Sequence, residues 1–329
     1  MADDDQAMGT AAGRTSLAAI IKAPDFIAPW LDRFYEPSEV DLLLALADGP
    51  LERASLAATL GLSREGLNAL VARAHRRAVI DLDGDQASAG SFYERSEIWA
   101  LFKGWGDLPR EVHGQLAKWW LDDYTESVRE GLAKLRDGRP EPGGDADYAY
   151  LLLAEAEEAV RSQEHIYLWP CDCRALMGAC DASVFNCLRF HNDRDLGWEI
   201  SKERAVEILR EADAEGLTHT DYVGFGGYSD PHAICNCCTD CCQPHLAAER
   251  LGVSDIWPRR RHIASLLPET CTLCGACTER CPFGALTIHE GGGGDHELVL
   301  ASATCRGCGL CATGCPEEAI AMEPLPATR

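Results

Sequence analysis

The chain has 329 residues, 46% hydrophobic and 25% charged, which suits a soluble protein of two or three domains. Its formal net charge of −23 argues against general nucleic-acid affinity, because phosphate backbones are held by basic patches. The same charge suits docking onto a basic face of a partner protein. No apolar run approaches the roughly 18 residues of a membrane span. The acidic start, MADDDQAMGT, is unlike a basic signal or transit peptide, so a cytoplasmic location is expected. Seventeen cysteines, a high and odd count, then favour metal binding over a disulfide framework.

In chain order, residues 1–35 read as a tail and lead-in, frayed over the first fifteen. A helix is expected from Ser38, as its cap, through Leu46, ended by Asp48-Gly49-Pro50. A short helix over Arg53–Leu60 and a longer one over Arg64–Arg77 follow, the second capped by Ser63. Leu67, Leu70, Val71 and Ala74 share one face of that helix, so it packs on a core. Val79–Leu82 reads as a strand and Asp83-Gly84-Asp85 as a tight turn. Residues 36–95 thereby resemble a winged helix-turn-helix domain. The resemblance implies a DNA-reading helix, but Glu65 near its start and Asp81, Asp83 and Asp85 in the wing repel phosphate. A structural or protein-docking role is therefore expected over DNA binding.

From 92 to 137 the chain is aromatic and helical. Phe92, Tyr93, Trp99, Phe102 and Trp105 precede Pro109, which opens a long helix carrying Trp119, Trp120 and Tyr124. Such a stripe is read as packing. Residues 138–144 form the clearest linker, and a central domain is expected over 145–265.

That domain opens with a helix expected from about Ala146 to Glu164. Nine cysteines follow in two groups: Cys171, Cys173, Cys180 and Cys187, then Cys235, Cys237, Cys238, Cys241 and Cys242. Between them lies an amphipathic helix, capped by Ser201, lined by Ala205, Ile208, Leu209 and Ala212, and ended by Gly216. Arg174 and Arg189 stand beside thiols whose charge they can offset. Consecutive cysteines such as Cys237 and Cys238 point apart and are not expected on one iron, so the second group is expected to be shared between sites. His191, His219, His232 and His245 lie near these groups as secondary candidates. Tyr222–Tyr228 is glycine-rich but lacks the strand–helix order of a dinucleotide site. No phosphate loop, nucleophile elbow or HExxH occurs.

The last sixty residues carry the strongest signal. CTLCGACTERCP at 271–282 is answered by CRGCGLCATGCP at 305–316, each reading C-x2-C-x2-C-x3-C-P. This is the spacing for two [4Fe–4S] clusters, with the fourth cysteine of each run serving the other cluster. Cys271, Cys274, Cys277 and Cys315 would then hold one, and Cys305, Cys308, Cys311 and Cys281 the second. Gly275, Gly307 and Gly309 permit the tight curl the three close cysteines need. Ala285–Ile288 and Ala319–Met322 read as short strands, with a hairpin through Gly291–Gly294 to His296–Leu300.

At these residues, over roughly 271–323, the sequence resembles a bacterial-type two-cluster ferredoxin, and a domain of that kind is expected over 266–329. W-P-C-x-C-R followed by I-C-N-C-C resembles multi-domain 4Fe–4S binding proteins of anaerobes, which implies iron–sulfur binding and no particular reaction. The double cysteine pairs resemble those of heterodisulfide reductases, but Thr239 and Gln243 stand where that pattern has glycine. The expectation is an α+β, multi-domain chain: a helical winged-helix-like region, a central cysteine-rich α+β domain and a ferredoxin-like α+β domain. Its expected function is one-electron transfer through two [4Fe–4S] clusters to or from a central site holding a further iron–sulfur cluster or a zinc ion. The rivals are an iron–sulfur sensor acting through the winged helix and a zinc-stabilised scaffold.

Overall fold

A computed structural model describes residues 11–103, 108–139, 148–222, 233–290 and 296–326. The linker from residue 140 on, Trp105, the glycine-rich stretch beyond Tyr222, His232 and the Gly291–Gly294 turn lie outside the described residues. Helix and sheet are mixed throughout, as an α+β chain requires. The chain divides into two compact units. One comprises Met1–Trp120 with Ala175–Met177 and Asp193–Leu196, and the other comprises Leu121–Arg174, Gly178–Asn192 and Gly197–Arg329.

The first unit begins earlier than a loose lead-in would allow. Helix α1 (Ala11–Ile20) and a 3-10 helix over Asp25–Arg33 bury Leu17, Ile21, Ile27 and Leu31. Leu17 and Ile21 are four residues apart and so share one face of α1 and the turn that follows it. Helix α2 (Pro37–Ala45) starts one turn-position before the expected Ser38 cap. Pro37 presets the first turn, and the Glu39 carboxylate accepts from the Glu36 N–H at 2.9 Å. Ser38 instead accepts from Arg73 at 3.0 Å.

Strand β1 (Leu51–Glu52), α3 (Arg53–Leu60), α4 (Arg64–Arg76), β2 (Ile80–Asp83) and β3 (Gln86–Ala89) follow. The strands form an antiparallel sheet in the order β1-β3-β2, turning at Gly84 with φ 58°. Ser63 caps α4, accepting from Gly66 N–H at 3.1 Å. The basic end of α4 is already engaged, because Arg73 pairs with Glu36, Arg77 with Glu36 and buried Glu39, and Arg76 with Asp195. Helices α5 (Phe92–Lys103) and α6 (Arg110–Arg136) carry the aromatic stripe. Phe34 packs on Phe92 at 4.9 Å and on Trp99 at 4.7 Å between ring centres, and buried Arg95 donates twice to the Phe34 carbonyl. These rings are core.

In the second unit the expected helix from Ala146 is interrupted by a strand. Tyr148 through Leu151 are buried, and β4 (Ala149–Leu151) precedes the shorter α7 (Leu153–Ser162). Then come β5 (Tyr167–Pro170), α8 (Asp172–Met177), β6 (Phe185–Arg189), β7 (Trp198–Glu199), α9 (Lys202–Ala214), β8 (Thr218–Tyr222), β9 (Ala233–Cys237) and α10 (Gln243–Leu251). Six of these strands form one sheet in the order β4-β8-β9-β6-β5-β7, every neighbouring pair antiparallel.

Side chains alternate across that sheet. Leu151, Leu188 and Ile234 join Ala156 and Val160 of α7 and Ala205, Ile208 and Leu209 of α9 in an apolar core. The alternate residues, among them Tyr150, Thr220, Cys187, Cys235 and Cys237, leave from the other face. Thr220 stands opposite Cys235, and Trp169 opposite Cys187.

The C-terminal segment adds β10 (His262–Leu266), α11 (Ala276–Arg280), β11 (Leu286–Glu290), β12 (His296–Leu300), α12 (Leu310–Thr313) and β13 (Ile320–Pro324). The two strands expected after the prolines do not pair with each other. β11 pairs with β12, while β13 pairs with β10, which lies before the first cysteine run.

One buried titratable group makes the first unit pH-sensitive. Burial beside Trp99 pushes His113 down from its usual range to about 4. The unfolded chain therefore takes up a proton that the folded unit refuses. Stability should be full above about pH 6.5 and decline as pH falls from there to about 4. Denaturant titrations followed by tryptophan fluorescence should show this slope, and His113→Leu should flatten it.

Candidate metal centres

Both cysteine runs of the C-terminal segment adopt the same local geometry. Gly275 and Gly309 precede α11 and α12 with φ of 82° and 84°, which bends each run back on itself. Thirty-four residues apart, Leu273 and Gly307 also share the left-handed region, with φ of 56° and 70°. Leucine bears this conformation at a cost of about 1–2 kcal/mol. Glycine is required at 307, where a Cβ would sit 2.1 Å from the His262 carbonyl oxygen.

The outcome is two cavities, each lined by four thiols. Cys271, Cys274, Cys277 and Cys315 line one, together with Ile288, Leu298 and Ile320. Cys281, Cys305, Cys308 and Cys311 line the other, together with Phe283, Leu300 and Met322. Each cavity thus takes three thiols from one run and the fourth from the other. Backbone N–H groups point at sulfur: Leu273 at Cys271 (3.4 Å), Ala285 at Cys281 (3.3 Å) and Ala319 at Cys315 (3.2 Å). Burial, with neighbouring thiols, pushes Cys308 and Cys311 up to about 12, so these positions favour a neutral or metal-bound sulfur over a bare thiolate. Four soft donors around an apolar-lined cavity fit a cuboidal iron–sulfur cluster in each place.

Residues 270–319 match the family model of the 4Fe-4S dicluster domain. The match covers this segment of the chain and ends before β13. No curated protein matches the chain. The dicluster domain makes iron–sulfur binding a property of this protein, and the geometry of its two cavities agrees.

The nine remaining cysteines lie on one side of the six-stranded sheet and fall into two sets. Cys187 on β6, Cys235 and Cys237 on β9, Cys242 before α10, and Cys173 and Cys171 beside α8 run in a chain of thiol–thiol contacts. Hydrogen bonds from Cys235 and Cys242 hold Cys237 well below the ordinary thiol range, while its bond with Cys173, then burial, pushes Cys171 well above. Tyr148 and Thr220 both approach Cys237 at 3.6 Å. Arg189 stacks over Trp169 at 4.0 Å beside this array. The second set is Cys180, Cys238 and Cys241, whose sulfurs lie within 4.8 Å of one another.

Of the histidines, His219 is held by Asn236 at 2.6 Å and stands on the helix-packed face, away from the thiols. His245 contacts the Cys238 carbonyl through Nδ1 at 3.1 Å and the Tyr150 hydroxyl through Nε2 at 2.9 Å. A carbonyl only accepts, so Nδ1 donates to it, and a neutral imidazole accepts from Tyr150. Phe283, which lines the second dicluster cavity, packs edge-on against both Tyr150 (5.8 Å) and His245 (6.0 Å). This aromatic junction had no signal in the sequence, since its three members are 95 and 38 residues apart along the chain.

Arg280, inside the first cysteine run, fastens the dicluster segment to the central sheet domain. It donates to Asp213 Oδ2 at 3.0 Å, to the Asp213 carbonyl at 2.8 Å and to the Leu310 carbonyl at 2.9 Å. Arg280→Ala should destabilise this unit by on the order of 3 kcal/mol, since Asp213 keeps a buried charge with its cation gone. Chemical denaturation of the iron-loaded protein measures it. Gly307→Ala should lower bound iron and visible absorption far more than Gly275→Ala. The nearest atom to a Cβ at 275 is 3.9 Å away, leaving only a backbone cost of about 1 kcal/mol.

Proposed function

We propose that the chain is an electron-transfer protein or redox subunit that passes single electrons between an external partner and its central cysteines. The observation that carries this reading is the junction of Phe283, Tyr150 and His245, in which Tyr150 neighbours Cys308 of the second dicluster cavity on one side and Cys242 and Cys237 of the six-thiol array on the other. When bound, a [4Fe–4S] cluster on Cys271, Cys274, Cys277 and Cys315 and another on Cys305, Cys308, Cys311 and Cys281 supply one-electron oxidation and reduction.

The side chains around these thiols divide the labour. Cys274 and Leu273 are exposed, so the first set is the port at which a partner docks. Cys305 and Cys311 are buried, and Phe283 and Met322 keep water from them, so the second set is the inner one. The N–H groups of Leu273, Ala285 and Ala319 stabilise negative charge on sulfur and thereby tune potential. The six-thiol array holds a further iron–sulfur cluster or a zinc ion, and the former makes it the inner electron acceptor or donor. The partner presents a basic face to a chain of net charge −23, and a reducing cytoplasm keeps so many thiols available.

Residues 36–95 read as a winged-helix-like docking module. The engagement of Arg73, Arg76 and Arg77 with carboxylates supports a protein partner over DNA.

The chain purified without oxygen should contain more than about eight irons, with matching acid-labile sulfide. Electron paramagnetic resonance during stepwise reduction should show two interacting [4Fe–4S] signals and a third centre. Cys274→Ser should slow reduction of the third centre by a protein donor at least about tenfold, as every 1.4 kcal/mol lost at the port is one decade. Eight irons and no third centre, or an unchanged rate, would refute the proposal.

A further inference from the structure

The nine central cysteines need not serve one centre, and the chain itself separates them. Cys237 and Cys238 are consecutive at the end of β9, and Cys241 and Cys242 are consecutive before α10. One member of each pair joins the six-thiol array, and the other turns toward Cys180, in the loop after α8. Cys180 Sγ lies 3.5 Å from Cys238 Sγ. The Ala179 N–H donates to Cys241 Sγ and the Cys241 N–H to Cys238 Sγ, each at 3.3 Å. Among the described residues no fourth histidine, cysteine or carboxylate atom completes the group.

Arg174 provides an independent observation. It is 3% exposed, and its Nη groups donate to the Ser183 and Asn236 carbonyls and to Asn186 Oδ1. All three acceptors are neutral, Nε has no nitrogen or oxygen acceptor, and no described carboxylate forms an ion pair with it. The ionisable groups that bear on this guanidinium are thiols, Cys171, Cys238 and Cys237. A guanidinium cannot shed its proton, and burying it costs several kcal/mol unless opposite charge lies close by. The fold therefore expects net negative charge on sulfur beside Arg174.

We propose that Cys180, Cys238 and Cys241 bind one soft divalent ion of the zinc class, with the fourth coordination position held by exchangeable water. Three thiolates and one divalent ion leave one net negative charge, which Cys238 presents to the Arg174 guanidinium. Sulfur donors select zinc over hard cations. Three protein ligands with an open fourth place is the pattern of a reactive zinc site, in contrast to the closed four-ligand structural kind. Cys180 and Cys238 are partly exposed, so solvent and small thiols have access to that place. The site is distinct from the six-thiol array, and its occupancy does not depend on what the array holds.

The test uses the full chain, purified anaerobically, incubated with zinc and freed of unbound ion. Metal and sulfide analysis should give about one zinc per chain, and zinc-edge X-ray absorption should show three sulfurs at about 2.3 Å and one lighter atom. Cys180→Ser should lower zinc at least about tenfold, a loss of 1.4 kcal/mol or more in binding, with iron and sulfide unchanged. No bound zinc, four sulfurs around it, or sulfide lost along with Cys180 would overturn the assignment. The absorption measurement needs no variant, so a misfolded Cys180→Ser protein leaves the test intact. An iron count of only about eight with zinc in place would instead defeat the electron-acceptor role of the array and leave the zinc site standing.

Discussion

The two-residue alternation of the six-stranded sheet is the constraint on which the central domain depends. On one face Leu151, Leu188 and Ile234 meet α7 and α9 in an apolar core, and on the other Cys187, Cys235 and Cys237 meet the thiols of α8 and α10. A slip of one residue in β9 would drive its thiols into hydrocarbon and expose Ile234 to the metal side. Asn236 guards against that slip from the helix-packed side. Its amide donates to the Asn186 carbonyl on β6 at 2.5 Å, and its oxygen meets His219 on β8 at 2.6 Å. A 2%-exposed amide that satisfies both neighbours of its strand fixes register at little cost, because neither end is left unpaired.

Sulfur's charge meets both guanidinium groups and backbone dipoles in the two cysteine regions. The central thiols have cations at hand. Burial alone would lower the Arg174 pKa, yet Cys171 and Cys238 overcome it and hold the guanidinium above its usual value, and Arg189 lies beside Cys187. The dicluster thiols have backbone N–H groups aimed at Cys271, Cys281 and Cys315, and Arg306 lines the second cavity. Dipoles stabilise a buried anionic group while adding no net charge, which leaves room for a cofactor whose charge changes by one.

Much of this was legible locally. The eight C-terminal cysteines declare their cavities by spacing, since the three close ligands of each are separated by only two residues and their glycines sit where the curl demands. Helices α3, α4 and α9 follow from apolar period and from the Ser63 and Ser201 caps. Elsewhere short-range signals misled. Tyr148–Leu151 has no polar alternation to mark it as a strand, because both of its faces are buried, and the α2 cap shifted because Pro37 and Glu39 outcompete Ser38. Leu17, Ile21, Ile27 and Leu31 are buried although they read as a lead-in.

The sequence by itself determined the ligand chemistry, the crosswise sharing between the two runs and the need to divide neighbouring cysteines between sites. These are consequences of residue type and of spacings shorter than a turn or two of chain. Only the tertiary structure decided which thiols from β6, α8, β9 and α10 meet and that Cys180 joins Cys238 and Cys241. It also decided that Phe283 reaches Tyr150 and His245. Those groupings rest on sheet register and on the anchoring of Arg280 to Asp213, contacts such as those of Asn236 with Asn186 and Arg280 with Asp213, 50 and 67 residues apart, whose closure no local pattern encodes.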